Sequence, residues 1–522
     1  MSLLVHEMLT MNVVKYANNP VLNDQNRTMT HGEFDQRTNQ LANMLIDMGV
    51  RKGDRVGILM DTSVMAAVVV FGVMKSGGIY VPINTQSPEN VMKNILEDTG
   101  VRLIVIDDRY IEKLQSYMGR IPIVVNHAKQ IIGEESHYIG LKSMDSYETS
   151  AIQNAPEIIS KDIVCIIYTS GTAGKPKGVM CRHENITPFM QYVIANFQHN
   201  EFSKSMSRSP LSFDPYLTEI VPSLMTGGQV YFYSITTLTS FLKTLQREKI
   251  KDFNCPPSLI NLLLANSEQL RQYDLSNVED IYIGFEYCPI KIVKGLQLLF
   301  PGARVIHSYG TTETYACSTF FVIESYEESW KGIPIGDPIK GTQLLVIDEE
   351  GRTVQPGGIG EMVIRGSTLS SGYWNNTEDT NRSFRIHPHF PDSGEIVYYT
   401  GDLFTCDEKS NLFFVGRKDE QVKIQGYRVE LLEIQNIIQD LDVVFECCVI
   451  ALKLDGEDRL ISFLVTENGN KDLQLIKSHC VQKLEPWKIP KEHEFLDVFP
   501  QNINKKVDKR KLYEMYISQQ EV

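Results

Sequence analysis

The sequence predicts an α/β protein with a large N-terminal domain, built from two α/β lobes plus a β-rich lobe, and a small mobile α+β C-terminal domain. Three observations support this prediction. Short β-rich runs alternate twice with helical segments, short strands separated by turn residues follow from about residue 333, and about the last hundred residues return to a mixed α+β pattern. A chain of 522 residues is long enough for two to four domains that each bury a core. We place the domain boundary after residue 416, so that residues 1–416 and 417–522 form the two domains.

The first lobe begins with a predicted amphipathic helix. Thr30-His-Gly-Glu33 has the spacing of a capping box, and apolar residues then recur at helical spacing up to a stop at Gly49, at Phe34, Leu41, Leu45 and Met48. Short β-rich runs at 55–60, 79–83 and 103–106 alternate with further helical segments. This alternation is typical of a parallel sheet covered by helices.

The second and third lobes follow in order. The same alternation recurs from Val164 to about Val322, with predicted strands at 164–168, 229–233, 280–283 and 304–307. The β-rich lobe is predicted from short strands at 343–347, 361–365 and 412–415. Gly357-Gly-Ile-Gly360 precedes a strand instead of following one, so it predicts a turn and not a dinucleotide-binding loop.

Composition and charge exclude several classes of protein. The net charge of −14 argues against broad binding to nucleic acids or anionic membranes. The most apolar stretch, Val64 to Met74, is too short to cross a bilayer, and the N-terminus lacks the features of a secretory signal. Nine cysteines without paired spacing predict reduced thiols and no structural zinc. We therefore expect a cytoplasmic protein with no nucleic-acid partner and no stable membrane association.

The segment from Ile166 to Met180 predicts an anion-binding loop after a buried strand. Its glycines let the backbone approach a polyphosphate, its hydroxyls donate hydrogen bonds, and Lys175 and Lys177 add positive charge. A P-loop is excluded because Pro176 stands where the magnesium-binding hydroxyl is required. The predicted phosphate-binding residues are Thr169, Ser170, Gly171, Thr172, Gly174 and Lys177.

This loop resembles the phosphate-binding loop of the adenylate-forming superfamily, which includes acyl-CoA synthetases, luciferases and the adenylation domains of nonribosomal peptide synthetases. Ala173 replaces the hydroxyl residue that is usual there. Further segments resemble the family's motifs in the family's order, so the resemblance covers about residues 10–515. It implies an ATP-dependent enzyme that also uses Mg²⁺.

Ser308-Tyr-Gly-Thr-Thr-Glu313 resembles the family's nucleotide-binding motif. The resemblance implies that Tyr309, followed by Gly310, stacks on adenine. It further implies that Thr312 bonds the α-phosphate and that Glu313 holds magnesium. Thr311 stands where peptide-synthetase domains usually have proline.

Two later segments are similar to the family's ribose-binding and interdomain sequences. The segment from Tyr398 to Leu403 would provide Asp402 as acceptor for the ribose hydroxyls. The long segment from Gly416 to Glu430 would place Arg417 near the ribose and make Asp419 the hinge of the mobile domain.

The basic run from Asn504 to Lys511 resembles the family's Asn-Gly-Lys-Val-Asp-Arg motif, which makes Lys506 the catalytic lysine. A lysine suits this role because a carboxylate that attacks a phosphate brings two anions together. Lys505 replaces the glycine of the motif, so a register shifted by one residue is the alternative. For an isolated basic run, a solvated tail is the other interpretation.

The segment from Ser212 to Glu219 is similar to the stretch in which amino-acid adenylation domains carry an aspartate that pairs with the α-ammonium group of the substrate. Here that residue is Asp214, with Lys506 at the carboxylate end; the alternative is that Asp214 caps the helix that begins at Pro215. With Lys506, the family's substrate pocket carries over to Asp214, Pro215, Thr218, Asn254, Ile281, Ile283, Ser308, Ala316 and Cys317.

The expected function follows from this pocket. The isoleucines would restrict its volume, and the polar residues would bond a polar side chain, so a small or medium amino acid is favoured. The stand-alone D-alanine carrier-protein ligases are one similar group. We expect formation of an aminoacyl-AMP and pyrophosphate from ATP, followed by transfer to the phosphopantetheine thiol of a separate carrier protein, because the sequence ends 16 residues after Lys506. The alternatives are an acyl-CoA synthetase that uses free CoA and a non-catalytic nucleotide-binding relative.

Overall fold

The computed structural model describes most of the chain. The described residues are 4–87, 89–117, 120–126, 138–169, 176–197, 199–233, 237–284, 290–324, 330, 332–418, 421–424, 427–454, 457–467, 471–484, 488–503 and 505–520. Within them, no helix is long and apolar enough to cross a membrane.

The α-helices in chain order are α1 (Glu7–Thr10), α2 (Val13–Tyr16), α3 (His31–Asp47), α4 (Val64–Lys75), α5 (Glu89–Thr99), α6 (His183–Asn196), α7 (Pro215–Thr226), α8 (Leu238–Glu248), α9 (Pro257–Ala265), α10 (Ser267–Leu270), α11 (Ile290–Leu299), α12 (Thr377–Ser383), α13 (Leu431–Gln439), α14 (Leu473–Lys483) and α15 (Lys509–Gln520). Short 3₁₀ helices lie at Asp108–Tyr117, Leu141–Ser146, Thr312–Thr314 and Pro391–Ser393.

The strands in chain order are β1 (Pro20–Asn23), β2 (Thr28–Thr30), β3 (Arg55–Leu59), β4 (Ile79–Pro82), β5 (Leu103–Asp107), β6 (Ile123–Asn126), β7 (Tyr138–Gly140), β8 (Ile163–Thr169), β9 (Lys177–Arg182), β10 (Lys204–Ser207), β11 (Gln229–Phe232), β12 (Asp252–Asn254), β13 (Asp280–Gly284), β14 (Arg304–Tyr309), β15 (Thr319–Ile323), β16 (Asp337–Pro338), β17 (Thr342–Ile347), β18 (Ile359–Gly366), β19 (Phe384–Ile386), β20 (Ile396–Cys406), β21 (Leu412–Arg417), β22 (Gln421–Ile424), β23 (Tyr427–Glu430), β24 (Val444–Leu454), β25 (Glu457–Thr466) and β26 (Glu492–Phe495).

The helix predicted after Thr30 is confirmed as α3. The Thr30 hydroxyl accepts a hydrogen bond from the Glu33 amide at 3.2 Å, and Glu33 Oε2 accepts one from the Thr30 amide at 2.8 Å. These two bonds satisfy donors that the first turn of a helix leaves free. The helix ends at Asp47, and Gly49 follows with φ +89°, where a glycine is favoured.

Two large sheets form the core of the N-terminal domain. One has the order β7-β6-β5-β3-β4-β8-β9 and is parallel except for the β8–β9 pair. The other has nine strands in the order β16-β15-β14-β13-β12-β10-β11-β1-β2, with a parallel centre from β14 to β1. Helix α4 lies against α3 and is buried along its whole length.

The two sheets exchange strands, which corrects the predicted lobes. We assigned residues 164–168 to the second lobe, but β8 pairs with β4 in the first sheet, where Cys165 lies opposite Tyr80. The early strand β1 conversely pairs with β11 in the second sheet. Parallel neighbours are joined by long crossovers, so closeness in sequence does not decide which strands pair.

The predicted β-rich lobe is confirmed as a five-stranded sheet that contains β17, β18, β19, β20 and β21. Gly357 has φ +81° and lies in the turn before β18, as expected for a turn. Strand β21 runs to Arg417, so the predicted boundary after residue 416 falls one residue inside this sheet.

A small α+β C-terminal domain follows, as predicted. It contains the β22–β23 hairpin and the three-stranded sheet β24-β25-β26. Helices α13 and α14 pack on one face of that sheet, and α15 packs on the other through Leu512 and Tyr516. The large N-terminal and small C-terminal domains of the predicted fold class are therefore present.

Candidate active site

The end of β14, the middle of β20 and the end of β21 meet at a buried carboxylate. The Tyr309 hydroxyl donates to Asp402 Oδ2 at 2.6 Å, and an Arg417 guanidinium nitrogen lies 2.6 Å from Asp402 Oδ1. Asp402 is 5% exposed. Burial raises the pKa of the Asp402 carboxyl, whereas Arg417 and the hydrogen bond from Tyr309 act in the opposite direction. Three residues expected at the adenosine end of the site thus form one connected group.

Glu313 lies in the turn that follows β14 and is held by a tyrosine that the sequence did not indicate. The Tyr373 hydroxyl donates to Glu313 Oε1 at 2.6 Å. The backbone carbonyl of Glu313 accepts the Ser370 amide at 2.8 Å. One carboxylate oxygen of Glu313 therefore has a fixed position, and the other has no hydrogen-bond partner among the described residues.

Asp214 occupies the N-cap position of α7, but its side chain makes no capping hydrogen bond. The Thr312 hydroxyl and the Ala316 amide lie close to this carboxylate. Burial raises the pKa of Asp214 to about 6, the nearby Thr312 hydroxyl acts to lower it, and the negative charge of Glu313 acts to raise it. The helix-capping interpretation is therefore not supported, and the predicted substrate and phosphate residues Asp214 and Thr312 are in contact.

The turn from Gly310 to Cys317 brings the Ala316 amide to Asp214 through an unusual backbone. Tyr315 and Ala316 both have positive φ, +51° and +64°, which costs free energy for residues other than glycine. At Gly310 an added Cβ would lie 2.2 Å from the Ala316 carbonyl oxygen, so only glycine fits there. The fold maintains this strained turn beside the predicted substrate residues.

Several of the predicted pocket residues surround a cavity of about 40 Å³. Its wall includes Thr218, Asn254, Ser308 and Cys317. Pro215 is the first residue of α7, one turn before Thr218, and Ala316 is buried next to Cys317. Burial raises the pKa of Cys317 to about 12, so its thiol is protonated at neutral pH.

The structure does not bring Ile281 and Ile283 to this cavity. Neither side chain lines the cavity; both are fully buried in an apolar cluster that also contains Val278 and Val305. Successive side chains of a strand point to opposite faces, so Tyr282, which lies between the two isoleucines in β13, lines the cavity instead. This corrects the prediction that Ile281 and Ile283 belong to the substrate pocket.

The predicted phosphate loop lies mostly outside the described residues, which leave out Ser170, Gly171, Thr172, Gly174 and Lys175. Thr169 and Lys177 flank it as the last cross-strand pair of β8 and β9. The Lys177 ammonium lies 2.9 Å from Asp379 Oδ2 and 5.4 Å from the ring centre of Tyr373. Lys177 therefore has a carboxylate partner, and its role in binding the phosphates stays a prediction.

Lys506 lies in an exposed turn of the C-terminal domain. Its amide donates to Asn502 Oδ1 at 3.1 Å, and its carbonyl accepts the Asn502 amide at 2.8 Å. Lys505 has φ +59°, the conformation that glycine adopts readily, which supports the alignment of Lys505 with the motif's glycine. No hydrogen bond or ion pair in the described part of the chain joins Lys506 to Asp214 or Glu313. The predicted hinge Asp419 lies outside the described residues.

Sequence reasoning missed three site residues, which are Tyr282, Tyr373 and Asp379. Tyr282 could have been found, because β13 alternates isoleucine and tyrosine and only one kind can face a polar pocket. Tyr373 and its neighbour Asp379 gave no local signal, since they follow β18 in a loop and a short helix.

Residues 9–374 match the family model described as AMP-binding enzyme, and residues 433–506 match its C-terminal domain model. The chain belongs to the AMP-binding enzyme family. Its membership of the adenylate-forming superfamily is thereby confirmed, as is the prediction of an ATP-dependent, AMP-forming ligase.

Curated relatives of this AMP-binding enzyme include peptide synthetases. Tyrocidine synthase 1 of Brevibacillus parabrevis is 28% identical over 98% of this chain and 45% of its own length. Bacitracin synthase 3 of Bacillus licheniformis is 32% identical over 94% of this chain and 7% of its own length. The chain thus spans less than half the length of these relatives.

Solved structures share the fold. The anthranilate CoA ligase AuaEII in complex with anthranoyl-AMP has a TM-score of 0.85 at 24% identity, with 98% of this chain and 97% of that chain covered. AB3403, a four-domain nonribosomal peptide synthetase bound to AMP and glycine, has a TM-score of 0.79 at 25% identity, with 97% of this chain and 36% of that chain covered. These likenesses confirm the predicted fold class.

Proposed function

We propose that this AMP-binding enzyme activates an amino acid as its aminoacyl-AMP and transfers it to the phosphopantetheine thiol of a separate carrier protein. The observation that supports this proposal most directly is Asp214. Its half-buried carboxylate caps no helix, and none of the described ion pairs involves it. A carboxylate near the wall of a small cavity, with no cationic partner among the described residues, suits the α-ammonium group of an amino acid.

The first half-reaction takes place between the amino acid, bound near Asp214, and the α-phosphate of ATP. A carboxylate oxygen of the amino acid attacks the α-phosphorus of ATP, the bond from that phosphorus to the bridging oxygen breaks, and pyrophosphate leaves. Lys506 neutralises the charge that accumulates when these anions approach. Thr312 lies between the two ends of the site, since its hydroxyl is close to the Asp214 carboxylate.

The adenosine end is assigned to the group around Asp402. Its carboxylate accepts one bond from Tyr309 and one from Arg417. A carboxylate has about four lone-pair sites, so two remain for the ribose hydroxyls. Tyr309 packs edge-on against Phe404 at 5.0 Å, which fixes the ring that we assign to adenine.

Glu313 fits a magnesium ion held jointly with ATP. Mg²⁺ is usually bound by one or two carboxylates together with substrate phosphates, and no group of three or more potential metal ligands occurs among the described residues. The free oxygen of Glu313 would hold the ion. Bound there, Mg²⁺ would offset the charge of the phosphates.

The second half-reaction needs a thiol. The thiolate attacks the acyl carbon, the bond to the phosphate oxygen breaks, and AMP leaves. We assign the N-terminal domain, predicted as 1–416, to binding, and the mobile domain, predicted as 417–522, to alternation between the two half-reactions about Asp419. Peptide-synthetase relatives support a carrier protein as acceptor, and a cytoplasmic location remains a prediction.

Amino-acid-dependent exchange of pyrophosphate into ATP tests this function. We expect exchange with at least one member of a panel of L- and D-amino acids. Aryl and fatty acids in the same panel, followed by incubation with free CoA, test the acyl-CoA synthetase alternative. A protein that supports exchange with no acid would be the non-catalytic relative.

A further inference from the structure

The cavity of about 40 Å³ lies near Asp214, whose charge acts on the wall residue Cys317, but Asp214 is not itself one of the lining residues. The cavity wall includes Thr218, one turn along α7 from Asp214, and Cys317, which follows Ala316, a residue whose amide lies close to Asp214. This inference rests on the proposed function, in which the cavity receives the side chain of the amino acid.

Two hydroxyls on the cavity wall already donate hydrogen bonds to backbone carbonyls of the protein. The Thr218 hydroxyl donates to the Pro215 carbonyl at 2.7 Å, and the Ser308 hydroxyl donates to the Ile283 carbonyl at 3.2 Å. A hydroxyl has one proton and two lone pairs. Both residues can therefore only accept a further hydrogen bond.

The side-chain amide of Asn254 is also held in one orientation by a hydrogen bond within the protein. Its Nδ2 donates to Glu219 Oε1 at 2.6 Å, and a carboxylate can only accept, so Oδ1 must be turned away from Glu219. Glu219 cannot swing away, because it also accepts bonds from the Ser207 hydroxyl, the Arg208 amide and both the amide and the hydroxyl of Ser209. Asn254 thus offers its carbonyl oxygen as an acceptor.

Tyr282 supplies the complementary donor. Its hydroxyl is buried and has no hydrogen-bond partner among the described residues. Burial raises the pKa of Tyr282 well above its usual value, so the proton is retained. An unpaired buried hydroxyl is destabilising, and a ligand that accepts its hydrogen bond would remove this cost.

Charge and size restrict the occupant further. Glu219 and Asp252 both line the cavity, so an anionic side chain would be repelled. A water-sized group needs about 10–15 Å³ of such space, so about three or four non-hydrogen atoms fit. Long cationic and large aromatic side chains exceed this volume.

We propose that the pocket selects an amino acid whose short, uncharged side chain both donates and accepts a hydrogen bond, which means a hydroxyl or a primary carboxamide. Asn254 accepts from this group and Tyr282 donates to it. The pair determines side-chain specificity, while Asp214 binds the ammonium group that all amino acids share.

Pyrophosphate exchange by the full chain with matched amino acids tests the proposal. Threonine is compared with valine, and asparagine with aspartate and leucine. We expect threonine or asparagine to exceed its analogues in kcat/KM by about a hundredfold or more. Tyr282→Phe and Asn254→Leu should each reduce that ratio at least about tenfold without changing the KM for ATP.

Tyr216→Phe is the matched control. It also removes a buried tyrosine hydroxyl that lacks a described partner, but its ring stacks on Phe232 at 6.4 Å and it does not line the cavity. The substrate ratio should not change in this variant. Thermal melting establishes whether each variant folds. If a variant does not fold, the proposal is decided by the order in which the unaltered enzyme prefers the matched amino acids.

The two proposals fail in different ways. A preference for valine, leucine or aspartate would overturn the assigned side-chain chemistry and leave amino-acid activation intact. Exchange with aryl or fatty acids only would overturn the proposed function itself. If the ratio of kcat/KM between the matched amino acids were unchanged in both pocket variants, Asn254 and Tyr282 would not determine the specificity.

Discussion

The ammonium group of Lys177 lies 2.9 Å from the Asp379 carboxylate, with the two side chains only 12% and 15% exposed. The same ammonium group lies over the ring of Tyr373, whose hydroxyl holds Glu313. One flank of the predicted phosphate loop is thereby connected to the predicted magnesium ligand.

Lys177→Met should lower the free energy of unfolding by about 1–3 kcal/mol, because it leaves a largely buried carboxylate without its main partner. The loss stays below that of a fully buried pair since Asp379 also contacts Arg382. Urea denaturation measures it. Lys93→Met, which breaks an exposed pair with Glu97, is the control and should cost about 0.5 kcal/mol or less. Equal losses in both variants would contradict a structural role for Lys177.

Amino-acid activation should depend on the ionisation of Asp214. Its pKa is raised to about 6 by burial, so the carboxyl is protonated below that pH and loses its attraction for an ammonium group. We expect kcat/KM for the amino acid to fall as the pH drops below about 6. Asp214→Asn should lose about a hundredfold or more at neutral pH and show no such acid limb. An unaltered KM for ATP would show that this variant is folded. Unchanged kinetics with the amino acid would show that Asp214 does not bind the substrate.

Lys506→Ala should nearly stop adenylate formation but still transfer the acyl group from supplied aminoacyl-AMP, because only the first step brings two anions together. Each half-reaction is measured separately. Lys505→Ala tests the register and should retain adenylation, while Lys505→Gly suits the local φ of +59° and should be neutral or stabilising. If Lys505→Ala were the inactive variant, the motif would be shifted by one residue.

Buried histidines should make the protein sensitive to acid. Burial lowers the pKa of His6 to about 3 and those of His31 and His183 to about 4. The unfolded chain therefore binds more protons below pH 6.5, and stability is lost as the pH falls from 6.5 towards 4. At pH 5 the expected loss is about 2 kcal/mol for each histidine.

His183 offers a direct test of this loss, because its Nδ1 accepts the Val5 amide at 3.1 Å and protonation would break that bond. His183→Asn keeps an acceptor and removes the titration. Urea denaturation of this variant should show a smaller difference between pH 7 and pH 5 than the unaltered protein. An equal difference would show that His183 does not contribute.

Much of the fold was predictable because its signals are local. The capping box at Thr30, the stop at Gly49 and the turn at Gly357 depend on neighbouring residues only, and the structure confirms each. The pairing of the strands was harder to predict from the sequence. The prediction that 164–168 belongs to the second lobe was wrong, since a parallel crossover can return to either sheet.

The same distinction between local signals and distant contacts applies to the candidate site. The motifs around Tyr309, Asp402 and Arg417 were visible in the sequence, and the structure brings these residues together. The partners of Glu313 and Lys177 come from Tyr373 and Asp379, which lie far away along the chain and carry no motif of their own.

The sequence by itself determined the family, the fold class and the order of the motifs, because these follow from residue types at fixed spacing. Only the tertiary structure decided which face of β13 meets the cavity, that the Asp214 side chain lies close to Thr312 and does not cap its helix, and that Lys177 is paired with Asp379. The physical reason is that hydrogen-bond partners and buried charges depend on contacts between distant strands and helices, and local spacing does not encode those contacts.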